Sequence, residues 1–417
     1  MEPTRTLPTH PAEVLSARNA TYIAFIGSGF GFASWASRIP QVRDALAASP
    51  STLGLVLLAV ALGSLVALPL AGVVVTRLGT ARTVTAMACC VAAGLVVVGL
   101  GYRAGVLPVV LGLFLIGFGN GTWDVAMNVE GAAVEQRLGQ AIMPRFHAGF
   151  SVGTVVGALG GAAMVALDVP VTVHLVAAAL VVGLTVPLGT RRFLPVETRT
   201  PDADRDGADR ARHPLAAWTE PRTLLVGVFV LCMAFTEGTG NDWLAVAVLD
   251  GYGAPPVAGP LVFAAFLAAM TAGRWFGPGL IDRFGRVATV RTSALVALVG
   301  LLLVVFGGVL PLAAVGAVLW GLGTALGFPV GMSAAADDPR RAAGRVSVVA
   351  SIGYTAFLAG PPLIGFLGDH VGVLRALTVT AALLGLAALL AGTVRPLAPD
   401  DARPPSPAGD EGRDHLR

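Results

Sequence analysis

The 417-residue sequence contains no lysine and few charged residues of any kind. Asp, Glu, Lys and Arg together make up only 13% of the chain, well below the share of roughly 25% that is usual in soluble domains. Hydrophobic residues make up 55%, and the mean hydropathy is +0.76. This composition excludes an ordinary soluble domain. Without lysine, the phosphate-binding motif G-x-x-x-x-G-K-[ST] is also impossible, which excludes ATP binding of that kind.

Cysteine is scarce as well, with Cys89, Cys90 and Cys232 as its three occurrences. All three lie within apolar runs and lack metal-ligand spacing, so we interpret them as small apolar fillers. A membrane enzyme would need a nucleophile with its base, a metal cluster or a phosphate loop, and the sequence shows none of these. We therefore predict no enzyme activity, no cofactor, no metal site and, at a net charge of +3, no nucleic-acid partner.

Long apolar runs are what the sequence has in abundance. About 20 helical residues cross the roughly 30 Å hydrocarbon core of a bilayer, and runs of that length recur along the whole chain. They are continuously apolar, whereas barrel strands would alternate over about ten residues. We predict an all-α membrane protein with twelve transmembrane helices, at residues 20–40, 53–76, 82–102, 107–129, 146–168, 170–190, 222–246, 257–281, 288–308, 311–333, 345–367 and 375–394.

The arginines predict the orientation, because cytoplasmic loops retain positive charge. With the amino terminus inside, 23 of the 28 arginines fall on the cytoplasmic side, so both termini are expected there. No cleavage site precedes the first span, which predicts that no signal peptide is removed. The expected organisation is a cytoplasmic tail (1–19), a six-helix bundle (20–190), a cytoplasmic linker (191–221), a second six-helix bundle (222–395) and a disordered cytoplasmic tail (396–417).

The two halves of the sequence resemble each other. GVVVTRLGTAR at residues 72–82 follows the second span, and PGLIDRFGRVA at residues 278–288 follows the eighth. GFGNGTWDVAMN at residues 117–128 of the fourth span corresponds to GLGTALGFPVGMS at residues 321–333 of the tenth. Repeats of this kind predict two related bundles.

Twelve spans in two halves, a long central loop and the D-R-x-G-R pattern after the eighth span resemble the major facilitator superfamily of secondary transporters. Asp282, Arg283, Gly285 and Arg286 match the loop motif of that superfamily, whereas the first copy has Thr76 where an aspartate is usual. The resemblance covers residues 20–395. It implies a central cavity between two bundles that rock to expose it alternately to either side.

Four further segments resemble the fucose-permease-like branch of predicted sugar or small-solute carriers. They are WASRIPQ (35–41), DVAMN (124–128), FHAGFSVG (146–153) and EGTGNDW (237–243). This resemblance implies a solute:proton transporter. Its partners would be a small polar, sugar-like solute, protons and the lipid bilayer, and we expect a monomer in the bacterial cytoplasmic membrane.

Polar residues within the fourth span form a candidate cavity surface. A charged side chain at the bilayer centre costs about 3 kcal/mol on insertion scales, so it normally faces protein or water. Asn120, Asp124 and Asn128 recur every four residues, with Trp123 beside them, and so build one stripe along the helix. We predict that this stripe lines a water-filled cavity where Asp124 binds solute or exchanges a proton. The alternative is an inner-gate or hydrogen-bonding role without solute contact.

The fifth and seventh spans offer further titratable groups. Glu237 lies near the middle of the membrane, and Asn241 follows one turn later as a possible solute contact. Glu237 is the leading candidate for proton coupling, with a neutral structural carboxyl as the alternative. His147 is a second candidate, since histidine titrates near neutrality. Its alternative is a hydrogen-bonding role at the cytoplasmic end.

Charged residues near the span ends are gate candidates. The superfamily resemblance implies that the first and seventh helices meet at the outer mouth, so Arg38 and Asp242 are expected to form an outer ion pair. Arg38 as an interfacial anchor is the alternative. Arg274 lies two turns before Asp282 on one helix and is expected to join an inner latch, whose other members are Arg77, Asp282, Arg283 and Arg286.

Aromatic faces suit sugar rings, so Trp35, Trp123 and Trp243 are candidates for stacking on a solute. Anchoring at the membrane interface is the alternative for Trp35 and Trp243.

A drug or metabolite efflux antiporter is the nearest rival function, favoured by Pro361 and Pro362 in the eleventh span. A channel or a receptor is less consistent with a repeat, a linker and buried carboxylates.

Overall fold

The computed structural model describes residues 11–140, 142–194, 216–338 and 341–397. In these ranges the chain forms helices joined by short turns, and no β-strand. The amino half contains α1 (Pro11–Ala36), α2 (Ile39–Ala45), α3 (Pro50–Leu78), α4 (Thr80–Gly101), α5 (Val106–Leu138), α6 (Met143–Ala166) and α7 (Val171–Thr190). The carboxyl half contains α8 (Pro221–Tyr252), α9 (Ala258–Phe284), α10 (Arg286–Phe306), α11 (Leu310–Thr324), α12 (Gly327–Ala335), α13 (Ala342–Val371), α14 (Val373–Ala376) and α15 (Thr378–Leu390). Two 3₁₀ turns, Ala216–Thr219 and Ala391–Val394, flank the second set.

The all-α prediction is confirmed, and each predicted span falls on a helix. In the described ranges, 11 helical stretches are long and apolar enough to cross a membrane, counting α11 with α12 and α14 with α15. The first helix, α1, is 26 residues long but is not among them. Polar residues such as Asn19, Thr21 and Ser28 lower its hydropathy. With α1, the helices supply the twelve expected crossings.

Several predicted boundaries differ from the structure. Residues 11–19, expected in the amino-terminal tail, belong to α1, because Pro11 at its start is favourable in the first helical turn. Helix α5 continues nine residues beyond the predicted end at residue 129. The tenth span is split into α11 and α12. Residues 1–10, most of the linker (195–215) and residues 398–417 of the carboxyl-terminal tail lie outside the described residues.

Helices pack closely within each half. In the amino half, α1 lies against α6 and α7, and α5 lies against both α3 and α4. Glycines permit this approach: Gly117 of α5 faces the backbone of Val60, and Ser64 Oγ donates a hydrogen bond of 3.0 Å to the Gly117 carbonyl. Small residues have this use in membranes, where lipid gives no hydrophobic drive for helices to associate.

Three one-residue turns mark the sequence repeat in the structure. Gly79 joins α3 to α4, Gly285 joins α9 to α10, and Gly372 joins α13 to α14. Their φ angles are +79°, +80° and +81°, in the left-handed region that favours glycine. The recurrence of one turn geometry explains why glycine stands at residues 79 and 285 in the two copies of the loop motif, and Gly372 shows the same geometry at a third turn.

The two halves meet through α3 with α13 and through α6 with α9. We call the end of the molecule that carries α2 the outer end, and the end that carries Gly79 and Gly285 the inner end. At the outer end, Gly54 of α3 lies against the backbone of Pro361 in α13. Toward the inner end of α3, Val73 and the residues around it are exposed. The halves are therefore in close contact at the outer end, and we interpret the exposed inner end of α3 as the opening of a space between them.

Candidate functional site

The polar stripe predicted on α5 is present as one surface. Asn128 Nδ2 donates to the Asp124 carboxylate at 3.2 Å and to the Asp124 carbonyl at 2.8 Å. Ser28 Oγ of α1 donates to Asn120 Oδ1 at 3.4 Å. Asp124 itself is exposed although its helix crosses the membrane. An exposed carboxylate within a membrane span must contact water or a polar group. The inner opening gives water access to Asp124.

An ion pair lies near the middle of the carboxyl half. Arg274 of α9 donates to Glu237 Oε1 of α8 at 2.7 Å, with side-chain exposures of 31% and 18%. This corrects the expectation that Arg274 pairs toward Asp282. Asp282 is exposed at the inner end of α9 and needs no counter-charge there, whereas a half-buried carboxylate is costly without one.

Residues of both halves face the same space. His147 of α6 is exposed, contacts the edge of the Phe25 ring at a centroid distance of 5.2 Å, and lies within electrostatic range of Arg274. Tyr354 of α13 is 40% exposed and lies within electrostatic range of Asp124. The amino half thus presents a carboxylate and an imidazole, and the carboxyl half presents an ion pair and a phenol.

The three candidate tryptophans do not line this space. Trp123 and Trp243 are fully buried, and Trp35 is 2% exposed. The Trp123 ring packs over Gly27 of α1, because a glycine leaves room for a large flat side chain between helices. The expected stacking of these rings on a solute is therefore not possible in this conformation. Asn241, the other solute candidate on α8, is half-buried, and its Oδ1 has no hydrogen-bond partner among the described residues.

The outer ion pair differs from the expected one. Arg38 is buried, and it donates to His174 Nδ1 at 2.9 Å and to the Val169 carbonyl at 3.0 Å. These acceptors satisfy Arg38 within the amino half, and no ion pair joins it to Asp242 in the described part of the chain. Instead, Arg43 of α2 contacts Asp250 of α8 at 2.5 Å.

The inner latch contains one of the predicted arginines. Arg286 contacts both oxygens of Asp337 at 2.9 and 3.0 Å, and Arg222 contacts Asp337 at 3.1 Å. Arg283 is exposed and lies over the Phe284 ring at 5.2 Å. The remaining two latch candidates are exposed at the inner end: Arg77 and Asp282.

The sequence reasoning missed Asp337 and its counterpart Glu130. Glu130 is 2% exposed and accepts hydrogen bonds from Thr80 Oγ1 at 2.6 Å and from the Leu194 amide at 2.8 Å. Asp337 lies 207 residues after Glu130, within the range of offsets that relates the other repeated motifs. Applying that offset to the acidic residues would have paired the two.

Comparison with known proteins agrees with this architecture. The sequence profile of the Major Facilitator Superfamily matches residues 21–355 and 243–415. The chain is 32% identical over 375 residues to the uncharacterized transporter y4wD of Sinorhizobium fredii, which covers 89% of this chain and 96% of that protein. It is 27% identical over 371 residues to the membrane protein MosC of Rhizobium meliloti, with 88% of each chain covered.

Solved structures show the same fold at lower identity. The nucleoside transporter NupG superposes with a TM-score of 0.71 at 14% identity, covering 92% of this chain and 98% of NupG. A bacterial homologue of the human lysosomal transporter Spinster, inward-facing and unoccupied, gives a TM-score of 0.73 at 13% identity, covering 95% and 100%. On the profile match, the y4wD relationship and the shared fold, the chain belongs to the Major Facilitator Superfamily of secondary transporters.

Proposed function

We propose that this transporter moves a small polar, sugar-like solute across the bacterial cytoplasmic membrane, coupled to protons. Both termini lie in the cytoplasm in this proposal, and the functional unit is a monomer. The observation that carries it is the inner-facing space, in which Asp124 of one half and the Glu237–Arg274 pair of the other are exposed or partly exposed. Carboxylates at that depth are functional candidates in membrane proteins.

Alternating access follows from the way the halves meet. The space is closed at the outer end by the contact between Gly54 and Pro361 and by the Arg43–Asp250 pair. Rocking of the two halves would break these contacts and open the outer side, as in other transporters built from repeats. The inner end would then have to close over Asp124 and His147.

Glu237, Asp124 and His147 are the proton-coupling candidates in this scheme. Glu237 is the first of them, because loss of its charge would release Arg274 and so change the charge of the cavity. Solute contacts are assigned to Asn120 and Asn128, the partly exposed amides of the stripe, whose amide groups suit hydroxyl groups. The sugar-like character rests on these amides and on the segments that resemble the fucose-permease-like branch.

The test is solute uptake and counterflow in proteoliposomes with an imposed pH gradient. Monosaccharides, sugar acids and cationic dyes are screened with the intact chain, Glu237→Gln and a surface control, Glu13→Gln. We expect a sugar-like solute, neutral or acidic, to accumulate with the gradient, and Glu237→Gln to retain counterflow and lose accumulation, while the control behaves as wild type.

Two outcomes would replace this proposal. Expulsion of dyes with sugars ignored would support the efflux antiporter. Currents larger than a carrier can turn over would support a channel.

A further inference from the structure

We infer that the transported solute carries one carboxylate, and that this group replaces Glu237 on Arg274 when Glu237 takes up a proton. The inference rests on the proposed function and narrows its substrate class to hydroxylated monocarboxylates. It starts from the 2.7 Å contact between Arg274 and Glu237, which lies within the carboxyl half and is partly exposed.

Protonation of Glu237 has a consequence for Arg274. A neutral carboxyl group no longer compensates the guanidinium charge, and an uncompensated charge in a half-buried site is unfavourable. An anionic group that arrives at Arg274 would restore the balance of charge at the site. Proton and anion binding are in this way linked, and the linkage is reciprocal.

Few groups of the protein can supply that negative charge. Helices α11, α12 and α15 carry no ionisable side chain. On α13 the nearest ionisable group toward the cavity is Tyr354, and from the amino half His147 lies within range of Arg274. Neither of these is an anion near neutral pH.

Two further carboxylates are Asp242 and Asp124. Asp242 follows Glu237 by five residues on α8 and so lies on a different face of that helix, and it forms no ion pair with Arg274 among the described residues. Asp124 is exposed on α5 of the other half, and its oxygen accepts a hydrogen bond from Asn128 on the same helix. Binding at Arg274 is therefore open to a solute carboxylate, for which the planar guanidinium offers two parallel donors. A carboxylate from the solute and a proton on Glu237 leave the charge of the site unchanged.

The exchange is balanced in charge and bonds. The Arg274–Glu237 ion pair breaks, one proton from water binds the Glu237 carboxylate, and an ion pair forms between Arg274 and the solute. No covalent bond to the solute is made or broken. Transport of a monoanion with one proton is electroneutral, which distinguishes this scheme from symport of a neutral sugar.

The decisive measurement is proton uptake by the purified, intact protein in weakly buffered detergent solution with a pH indicator. The probes are matched pairs: gluconate with glucose, galacturonate with galactose, and glycerate with glycerol. We expect an acid probe to cause uptake of up to one proton per protein and its neutral partner to cause none. Absence of uptake with all three acids overturns the inference.

Variants of Glu237 and Arg274 distinguish the binding of the proton from the binding of the acid. Glu237→Gln should abolish proton uptake but keep binding of the acid, measured as thermal stabilisation, and make that binding independent of pH. Arg274→Gln should weaken acid binding by about tenfold or more, the effect of losing a charge-assisted hydrogen bond. Arg103→Gln, an exposed arginine of the outer surface, is the matched control and should behave as wild type.

Two results would contradict the inference while leaving the proposed function intact. One is gradient-driven accumulation of a neutral sugar without any effect of the acids. The other is acid binding that survives Arg274→Gln and is lost in Asp124→Asn. Conversely, acid-induced proton uptake without accumulation in proteoliposomes would support linked binding of acid and proton at Arg274 and Glu237, but it would remove the proposed function and with it the transport of the acid.

Discussion

At the outer end of the molecule, contacts cross from one half to the other. Gly54 of α3 and Pro361 of α13 touch through their backbones, and Arg43 of α2 contacts Asp250 of α8. Backbone contact of this kind is only possible without a side chain, because a Cβ at Gly54 would overlap the Pro361 carbonyl. The outer closure thus depends on close fit and is reinforced by one ion pair.

The inner anchors have a different arrangement, since each stays within its own half. Glu130 binds Thr80 and the Leu194 amide in the amino half, and Asp337 binds Arg286 in the carboxyl half. They hold the inner ends of the helices of one half together and do not bridge the halves. Contacts at the inner end therefore hold each half together internally, and the two halves can separate there. Contacts at the outer end join the two halves as long as that end is closed.

The largest expected effect comes from Gly54→Leu. The added side chain cannot fit against α13, and overpacking of this kind costs about 1–3 kcal/mol. The ratio of outer-closed to outer-open molecules should fall by roughly fivefold to 150-fold. Distances between spin labels at Ala104 and Val309, in a background without native cysteines, measure the separation of the outer ends.

Gly72→Leu is the matched control, because nothing lies within 4 Å of a Cβ at Gly72 on the same helix. If Gly54→Leu left the distance distribution as in wild type, the outer closure would not depend on the glycine contact.

The inner anchors predict a second, smaller effect that differs between the halves. Asp337→Asn leaves Arg222 and Arg286 without their shared counter-charge and should lower stability by roughly 2 kcal/mol. Glu130→Gln should have a smaller effect, because glutamine can accept from the Leu194 amide and donate to the Thr80 hydroxyl, so that only the attraction to the charge of Arg137 is lost. Thermal unfolding in detergent measures both variants, with the exposed Asp369→Asn as control.

Equal losses from Asp337→Asn and Glu130→Gln would show that the two anchors work by the same electrostatics. Direct ion pairing of Asp337 with two arginines would then stabilise its half no more than the neutral hydrogen bonds to Glu130 stabilise the other.

The outer ion pair is expected to contribute less. Arg43 is 13% exposed and Asp250 is 40% exposed, and Arg43 also contacts Asp44 at 2.7 Å. A double-mutant cycle of Arg43→Gln and Asp250→Asn on the spin-label distances should give a coupling energy of about 0.2–1 kcal/mol. The coupling should decrease at high salt, and a value that salt leaves unchanged would argue against an electrostatic contribution.

The smallest effect is a pH dependence at the inner end of the carboxyl half. Burial would raise the pKa of Glu220, but hydrogen bonds from Arg345 at 2.6 Å and Thr223 at 2.9 Å, together with the charges of Arg345 and Arg341, lower it below its ordinary value of 4.5. Because the folded-state pKa is lowered, the contribution of the Glu220 carboxylate to stability is complete above its ordinary pKa. That contribution is lost as the pH falls through the folded-state pKa.

Glu220→Gln should therefore reduce stability by roughly 0.5 kcal/mol at pH 7, and the difference from wild type should vanish in acid. Melting curves from pH 7 to pH 3 test this. A difference that grows as pH falls would reverse the sign and contradict the assignment.

The fold could be predicted from the sequence because crossing a membrane requires a run of apolar residues that is visible along one dimension. The repeated loop glycines were predictable for a similar reason, since one backbone geometry needs glycine at Gly79 and Gly285 alike. The stripe on α5 was also predictable, because Asp124 and Asn128 share a helix and their spacing fixes their relation.

Partners across different helices could not be predicted in this way. Spacing along α9 favoured Asp282 for Arg274, but the packing of α8 on α9 brings Glu237 into contact. Arg38 likewise donates a hydrogen bond to His174, which lies on another helix, and spacing along the chain does not predict that contact. Burial of the candidate tryptophans likewise depends on which helix face meets a neighbour, and periodicity alone does not determine that.

The placement of the tryptophans gives the protein an optical reporter of its own. Four of its six tryptophans are buried among the helices, namely Trp35, Trp123, Trp243 and Trp320, whereas Trp218 and Trp275 are exposed. Indole emission shifts to longer wavelength when water reaches the ring. After replacement of the two exposed residues by phenylalanine, the remaining emission should be blue-shifted and protected from aqueous quenchers. Trp123 adjoins Asp124 in sequence, so its fluorescence can follow events at that carboxylate without any attached dye.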